Sequence, residues 1–294
     1  FDCNGDGADD LFICNGKNSK VNDSANQDIL YINGGAPNYD FTDSGNDFDK
    51  NNTDFTNGAT AADFDNDGYI DLVVANGYDQ NDILYKNNGS CSFLGTSLGD
   101  GKNSKSVCVL DFDKDNDLDL YIPVFADKDI LYVNDGSGNF TSNTDYDELT
   151  VKDYSQGCIT TDYNNDGWQD LIVFRGSTTY SQTNLIIENN KDTTFTRTNL
   201  DSSSSYFVGG AELDDNDDGY PDVYVTRAIN DNDYFYENNE GNFTEISSST
   251  FFDSAGGDLN DSTQSNRVAV ADFNNDSYLD IYVTRSVNND DYLL

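Results

Sequence analysis

Short acidic stretches recur along this sequence at a spacing that could hold a metal ion. Residues 63–72 read DFDNDGYIDL, with carboxylates at the first, third, fifth and ninth places and a glycine at the sixth. Oxygen side chains at alternate positions, a sharp turn and a backbone carbonyl at the seventh position form the start of a calcium-binding loop. Carboxylates this close repel one another unless a cation lies between them. The spacing therefore predicts a divalent-cation site.

The pattern is repeated along the whole chain. Six copies begin at Asp2, Asp63, Asp111, Asp162, Asp214 and Asp272, between 48 and 61 residues apart. Such a period indicates a repeat architecture. A second phrase, NDILYKNNG at 81–89, follows the loop in five repeats, and residues 291–294 resemble the start of a sixth copy.

Each loop is predicted to bind one Ca²⁺, which gives up to six structural ions. A chain without His and without a thiolate cluster does not favour zinc or copper, and Mg²⁺ prefers rigid octahedral sites. Some loops could instead be degenerate and empty: the first lacks its entering strand, and Asn116 and Ser277 replace the glycine. The predicted ligands are the side chains at the first, third, fifth and ninth positions and the carbonyl at the seventh: Asp2, Asn4, Asp6, Ala8, Asp10, Asp63, Asp65, Asp67, Tyr69, Asp71, Asp111, Asp113, Asp115, Asp117, Asp119, Asp162, Asn164, Asp166, Trp168, Asp170, Asp214, Asn216, Asp218, Tyr220, Asp222, Asp272, Asn274, Asp276, Tyr278 and Asp280.

Short apolar runs between turn residues must position these loops. Runs such as LVVA (72–75) and VYVT (223–226) are rich in β-branched and aromatic residues and too short for helices. An aliphatic run follows each loop directly, so each loop is predicted to join two β-strands. The fold class is all-β, and no run is long enough to cross a membrane.

The charge of the chain excludes some partners. The formal net charge is −40, and 49 of the 55 acidic residues are Asp, the shorter acid that suits inward-pointing loop oxygens. Nucleic-acid phosphates and anionic lipids would repel such a surface. We therefore expect neither nucleic-acid binding nor direct membrane insertion.

These repeats resemble the FG-GAP/VCBS repeat family, whose members include the propeller of integrin α-subunits. The resemblance covers all six units and is carried by the acidic loops, by AADFDNDGYIDLVVANG (61–77) and by NDILYKNNG (81–89). YFVGGAEL (206–213) is the nearest approach to the eponymous wording, so the VCBS-like form fits better. The resemblance implies a β-propeller with one four-stranded blade per repeat and calcium in the loop joining the first two strands.

On this basis residues 1–294 are expected to form a single propeller domain. Its repeats would start near residues 1, 58, 106, 157, 208 and 267, and the chain would be truncated at both ends relative to a full ring. Six motif-bearing blades are visible, and the full ring would have six or seven.

The calcium loops and the sequons suggest an oxidising, extracellular setting, in which one or two disulfides are expected. The expected disulfides are Cys91 with Cys108, between adjacent blades, and Cys3 with Cys14, within one blade, while Cys158 is expected to be a buried free thiol. Possible N-glycosylation sites, which an Asn-rich chain also produces by chance, are Asn22, Asn51, Asn88, Asn139, Asn242 and Asn260.

Two further groups of side chains have both a binding and a structural interpretation. Arg175, Arg227 and Arg285 share one place in three successive repeats and could form an anion-binding rim, or pair with surplus Asp. The aromatic residues at the second loop position, and Trp168, are interpreted as packing residues in preference to a sugar platform; the second-position residues are Phe64, Phe112, Tyr163 and Phe273.

The predicted function is non-catalytic. Without His, the commonest general base is absent, and the carboxylates are better explained as metal ligands. We expect a calcium-stabilised extracellular module, secreted or at the cell surface, for adhesion or structural assembly of a larger or polymeric protein, with protein or glycan ligands or self-assembly. The alternatives are a carbohydrate-binding, lectin-like propeller and, less favoured, a calcium-dependent polysaccharide lyase.

Overall fold

The fold consists of β-strands joined by loops and turns. The computed structural model describes residues 1–15, 27–46, 48, 55–99, 101–143, 152–200, 202–228, 232–246, 264–285 and 292–293. Within these residues there is no helix, and hence none that is long and apolar enough to span a membrane. The all-β prediction is therefore confirmed. The chain groups into two compact units, Phe1–Asp145 and Tyr146–Leu294.

All of the described strands of the first unit except β10 form three antiparallel sheets. The strands are β1 (Leu11–Ile13), β2 (Ile29–Asn33), β3 (Phe41–Asp43), β4 (Thr56–Ala62), β5 (Asp71–Asn76), β6 (Ile83–Asn87), β7 (Phe93–Ser97), β8 (Cys108–Leu110), β9 (Asp119–Ile122), β10 (Phe125–Lys128), β11 (Ile130–Asn134) and β12 (Phe140–Asn143). The sheet orders are β1-β2-β3, β4-β5-β6-β7 and β8-β9-β11-β12, which we call the first, second and third sheets.

The second unit repeats this arrangement. Its described strands are β13 (Lys152–Thr161), β14 (Asp170–Arg175), β15 (Leu185–Asn189), β16 (Phe195–Asn199), β17 (Phe207–Leu213), β18 (Asp222–Arg227), β19 (Tyr234–Asn239), β20 (Asn242–Ile246), β21 (Ser265–Ala271), β22 (Asp280–Arg285) and β23 (Tyr292–Leu293). They form the fourth sheet, in which β13 to β16 are successive neighbours, the fifth sheet β17-β18-β19-β20 and the sixth sheet β21-β22-β23.

Five of the six acidic loops connect the same pair of strand ends. The last residue of the strand before the loop pairs with the ninth loop residue, which begins the next strand. These pairs are Ala62 with Asp71, Leu110 with Asp119, Thr161 with Asp170, Leu213 with Asp222 and Ala271 with Asp280. The first loop precedes β1 directly. The prediction that the loops join two β-strands is confirmed for the other five loops.

Apolar side chains from neighbouring sheets share common cores. Phe64, at the second position of its loop, packs with Val73 and Leu84 of its own sheet and with Leu120 and Tyr132 of the third sheet. Tyr163 occupies the equivalent place in the core of the fourth and fifth sheets. Burial of large apolar surfaces is the main favourable term in folding, so these aromatic residues stabilise the contact between sheets.

The packing interpretation holds for three of the four second-position aromatic residues. Phe64, Phe112 and Tyr163 are buried, whereas Phe273 is 51% exposed. The prediction is wrong for Phe273, whose exposed ring meets the ring of Tyr282 in its own sheet edge-on.

Our disulfide assignments are wrong. Cys3 is bonded to Cys91, which ties the second residue of the first loop to the turn between β6 and β7. Cys108 and Cys158 are also disulfide-bonded, so Cys158 is not a free thiol, and Cys14 is the free cysteine. Spacing along the chain could not reveal this pairing, because the two partners lie on successive sheets 88 residues apart.

Replacement of Phe64 by Ala is expected to lower the free energy of unfolding by about 3–5 kcal/mol, because it opens a cavity between two sheets. The matched control is Phe273→Ala at the exposed equivalent position, with an expected change within about 0.5 kcal/mol. Urea titrations at fixed calcium concentration measure both values. Equal losses in the two variants would contradict the assigned core.

Candidate metal centres

All six acidic loops have the same backbone conformation. The fourth and sixth residues of each loop have positive φ, including the non-glycine residues Asn116 at 71° and Ser277 at 76°. Glycines at the sixth position have φ between 83° and 89°. Asn tolerates this region well and Ser less so. The two departures from glycine therefore keep the turn that directs the loop side chains inward.

The first Asp of each loop closes the turn by accepting backbone hydrogen bonds. Asp162 Oδ1 accepts from the amide of Asp166 at 2.9 Å, and Asp162 Oδ2 accepts from the amide of Gly167 at 2.8 Å. The amide of the sixth residue donates to the first Asp in every loop, at Asp2, Asp63, Asp111, Asp162, Asp214 and Asp272. These bonds lower the pKa of Asp2 and Asp272, with the sixth-position amide as the main cause.

Side chains at the third and fifth positions are held in the same way. Asn164 Oδ1 accepts from the amide of Asp166 at 3.0 Å, and Asp166 Oδ1 accepts from the amide of Trp168 at 2.9 Å. The fifth-position contact recurs in all six loops, at Asp6, Asp67, Asp115, Asp166, Asp218 and Asp276. The loop oxygens are thus brought together by local hydrogen bonds before any ion is considered.

The ninth-position Asp is the most deeply buried member of the set. Asp71, Asp119, Asp170 and Asp222 are each at most 1% exposed. Burial is the main cause that raises the pKa of Asp71 to about 6 and the pKa of Asp119 and Asp170 to about 7. Neighbouring loop acids raise these pKa values further. A cation beside the carboxylate would favour its charged form.

Carboxylate oxygens converge in the second and third loops. Oxygens of Asp63, Asp65 and Asp71 lie within 4.8 Å of one another, as do those of Asp111, Asp113 and Asp115. The other loops have Asn at the third position, which offers an amide oxygen in place of a carboxylate. Cys3, Asp10 and Cys91 also converge, but the two sulfurs are joined in a disulfide and do not offer thiolates.

Two loop oxygens point to a missing partner. Asp65 Oδ1, at a third position, and Asp170 Oδ2, at a ninth position, are buried without a hydrogen-bond partner among the described residues. A buried carboxylate oxygen without a partner is costly. Hard oxygen donors in this number and arrangement suit Ca²⁺. The residues present therefore fit a bound calcium ion.

Sequence reasoning missed a buried Asn that is linked to the ninth-position Asp in five of the six loops. Asp119 Oδ2 accepts from the amide of Phe112 at 3.2 Å, and Asp119 Oδ1 accepts from the amide of Asn134 at 2.9 Å. Asn134 Nδ2 then donates to the carbonyl of Leu118 at 3.0 Å. The same Asp-to-Asn bond joins Asp10 to Asn33, Asp71 to Asn87, Asp170 to Asn189 and Asp222 to Asn238. The last residue of the repeated phrase NDILYKN, Asn87 in the second repeat, was the available signal.

This Asn also connects neighbouring loops within each unit. Asn134 Nδ2 donates to the carbonyl of Phe64, the second residue of the preceding loop, at 2.8 Å. Asn87 reaches the carbonyl of Cys3 at 2.7 Å, and Asn238 reaches that of Tyr163 at 2.8 Å. In these three cases the acidic loop is therefore hydrogen-bonded to the sheet that follows it.

The Asp of the same phrase forms hydrogen bonds at the other end of the sheets, away from the acidic loops. Asp82 Oδ1 accepts from the amide of Asn76 at 2.7 Å, and Asp82 Oδ2 accepts from Ser104 Oγ of the next repeat at 2.8 Å. Asp28 likewise accepts from Thr56 Oγ1, on the next sheet, at 2.6 Å. These acids are structural and were not assigned a role from the sequence.

The three arginines of the predicted rim differ in their surroundings. Arg175 is buried, and its Nη1 pairs with Asp153 Oδ2 at 2.7 Å. Arg227 is buried as well; its Nη1 donates to the carbonyl of Asn232 at 2.8 Å, and its guanidinium lies 4.7 Å from the ring of Tyr234. Arg285 is half-buried. These contacts favour the structural interpretation for Arg175 and Arg227.

The remaining predicted sites lie on the surface or outside the described residues. Asn88, Asn139 and Asn242 are exposed in or beside the hairpin turns that precede the outer strands. Asn22, Asn51 and Asn260 lie outside the described residues. At the seventh loop position Tyr69 is 44% exposed and Tyr278 is 74% exposed, while Trp168 is half-buried.

Comparison with known proteins identifies a repeat family. The profile of the FG-GAP-like repeat matches residues 2–74, 63–122 and 214–283, which is more than half of the chain. No curated protein sequence matches the chain.

Three solved structures align with this chain at low sequence identity. A lectin of Agrocybe aegerita that specifically recognises non-reducing terminal N-acetylglucosamine aligns with a TM-score of 0.55 at 18% identity, over 87% of this chain and 68% of that chain. The V. cholerae biofilm matrix protein Bap1 aligns with a TM-score of 0.42 at 14% identity, over 79% of this chain and 35% of that chain. BBS1N, in its complex with ARL6DN, gives 0.47 at 12% identity, over 81% and 68%.

Replacement of Asn134 by Ala is expected to lower the free energy of unfolding by about 2–4 kcal/mol. The variant leaves the carbonyls of Phe64 and Leu118 without this donor and the amides of Gly136 and Gly138 without this acceptor. The exposed Asn139 of the same hairpin is the control, and Asn139→Ala should change stability by less than about 0.5 kcal/mol. Denaturant unfolding measures the free energy of unfolding of both variants. An Asn134→Ala protein as stable as the wild type would exclude the connecting role of Asn134.

Proposed function

Since this chain belongs to the FG-GAP-like repeat family, we propose that it is a calcium-stabilised β-propeller. We infer that it binds ligands outside the cell and has no catalytic role. The observation that carries this proposal is that the same cage of inward-pointing oxygens is formed separately in each of the six loops. In two of these cages an oxygen, Asp65 Oδ1 or Asp170 Oδ2, is buried without a hydrogen-bond partner among the described residues. Calcium bound there would supply positive charge between the converging oxygens. The protein would act through a rigid surface.

Propeller architecture is supported by the order of the sheets. Within each unit, successive repeats form successive sheets that pack on their neighbours through shared apolar cores. In the four-stranded second, third and fifth sheets, the strands lie side by side in the order in which they occur along the chain, as in the blades of a radial repeat. The ring would have six or seven blades.

An extracellular location is supported by the cysteines and by the predicted ion. Disulfides such as Cys3–Cys91 form and persist in oxidising compartments. Extracellular calcium modules bind in the range of roughly 0.1–1 mM, which matches a calcium supply outside the cell. Adhesion or assembly within a larger surface protein is the role that such a rigid repeat module fits.

A glycan ligand is the second candidate, and exposed aromatic rings favour it. Tyr180, between β14 and β15, is 53% exposed and stacks on Tyr154 with ring centres 4.6 Å apart. Tyr78, between β5 and β6, is 59% exposed and lies 4.5 Å from the ring of Phe55. Each ring packs against a second aromatic ring, stacked for Tyr180 and tilted for Tyr78, and is more than half exposed at the sheet end opposite the acidic loops. A related fold serves glycan recognition in the Agrocybe lectin.

Removal of calcium is expected to destabilise the protein strongly. At about 1 mM calcium, a site with a dissociation constant near 0.1 mM contributes about 1.4 kcal/mol, so six sites would contribute roughly 8 kcal/mol. We expect chelation with EDTA to lower the melting temperature by more than about 10 °C, because the converging carboxylates then repel. Differential scanning calorimetry measures the change.

The control for this experiment is ion-specific and residue-specific. Excess calcium should restore the melting temperature, and magnesium should restore it only in part. Asp67→Asn should remove about 1.4 kcal/mol of the calcium-dependent stability, whereas Asp79→Asn, at an exposed acid outside the loops, should remove none. A melting curve indifferent to EDTA would refute calcium stabilisation.

If the chain binds glycans through the supported aromatic rings, Tyr180→Ala and Tyr78→Ala should each weaken glycan-array binding at least tenfold, since stacking on aromatic faces would be lost. Tyr39→Ala is the control, because Tyr39 is 60% exposed in the turn between β2 and β3, near the other end of its sheet. Wild-type protein that binds no glycan on the array would leave protein ligands as the remaining class.

A further inference from the structure

The residue before the buried Asn on the third strand contacts the third position of its own acidic loop. In the second sheet this residue is Lys86, which precedes Asn87. Lys86 Nζ lies 3.1 Å from Asp65 Oδ2, and both side chains are largely shielded from solvent. The other oxygen, Asp65 Oδ1, is the buried atom without a hydrogen-bond partner among the described residues. Lysine thus engages one oxygen and leaves the second for the cage.

In the fourth and fifth sheets, Glu stands at the position of the Lys and Asn stands at the third position of the loop in place of the Asp. Glu188 accepts a hydrogen bond from Asn164 Nδ2 at 3.4 Å. Glu237 accepts from Asn216 Nδ2 at 3.5 Å. In both loops the amide oxygen of the Asn is turned the other way, into the loop, where it accepts the amide of the fifth residue. The acid therefore holds the amide nitrogen outside the cage.

We propose that this strand position is a positioning residue matched to the third ligand, with Lys paired to Asp and Glu paired to Asn. The inference rests on the proposed calcium binding and deepens it. Each partner binds the outward atom of the ligand and so directs the remaining oxygen toward the ion. Outer contacts of this kind orient metal ligands and commonly change affinity by about 10- to 100-fold. Val133 and Ile32 occupy the position in the third and first sheets, where the rule makes no demand.

Charge and hydrogen-bonding chemistry explain why the partners must match. Asp with Lys contributes no net charge, and Asn with Glu contributes one negative charge. A mismatched Asp and Glu would place two carboxylates in contact. A mismatched Asn and Lys would turn the amide oxygen toward the ammonium, since Lys only donates, and would leave the amide NH₂ facing the ion. Either mismatch removes a useful ligand from the cage.

The fourth loop offers a site-specific test. Trp168 is the single Trp of the chain and is the seventh residue of this loop, so Tb³⁺ luminescence excited through Trp reports on this site. We expect Glu188→Lys to lower the affinity of this site for Tb³⁺ by about tenfold or more. The affinity for Ca²⁺, measured by its displacement of Tb³⁺, should fall by a similar factor. In a protein that already carries Asn164→Asp, Glu188→Lys should cost less than about threefold, because Lys then meets its matched ligand.

Three controls separate this role from a general effect on stability. Glu188→Gln keeps an acceptor for Asn164 and should bind within about threefold of wild type. Glu212→Lys makes the same charge change at an exposed residue of β17 and should leave the Trp168 signal unchanged. If circular dichroism shows that Glu188→Lys does not fold, Glu188→Leu replaces it, and weaker Tb³⁺ binding is again the expected result because the amide nitrogen loses its acceptor.

The outcomes are distinguishable. Equal costs of Glu188→Lys in the wild-type and Asn164→Asp backgrounds would overturn the matching rule while leaving calcium binding intact, as would tight binding by Glu188→Leu. Wild-type protein with no Tb³⁺ signal that calcium displaces would instead sink the proposed function itself, and the matching rule with it.

Discussion

The ninth-position carboxylate, which is buried in five of the six acidic loops, is the group on which the rest of the structure depends. Asp71 illustrates it: the residue is fully buried, begins β5 and accepts the amides of Phe64 and Asn87. One side chain therefore fixes the loop, the second strand and the third strand together. Its raised pKa shows that burial and neighbouring acids oppose its charge. Backbone amides offset part of that cost, and a cation in the loop would offset more.

The bond from this carboxylate continues into the contact between sheets. Asn134 donates its backbone amide to the carboxylate of Asp119 and its side-chain amide to the carbonyl of Phe64. The side chain of Phe64 lies in the apolar core shared by the same two sheets. Loop geometry and sheet packing are consequently two aspects of a single interaction network. A loop that loses its shape would disturb the polar tie and the core that lies beneath it.

Much of this could be predicted from the sequence, because the signals are local and repeated. The loops, the strands that flank them and the burial of Phe64 follow from spacing and residue type. The role of Asn134 does not, since its partners Phe64 and Asp119 come from different repeats and only the fold brings them together. The disulfide between Cys3 and Cys91 was not predicted for the same reason. Phe273 shares the pattern of Phe64 but not its neighbours, and burial depends on neighbours.

The two ends of each sheet are under different constraints. At the loop end, oxygens, backbone amides and the buried Asn are all engaged with one another, so substitutions there lower stability. At the other end, the feature that recurs is the buried Asp that precedes the third strand, as in Asp82 and Asp233. The residues around it vary from the ring of Tyr78 to the buried guanidinium of Arg175. These residues therefore differ between the repeats of this chain while the strand order within the sheets is kept. A ligand surface can therefore diverge there while the acidic loops hold the sheets in a constant geometry.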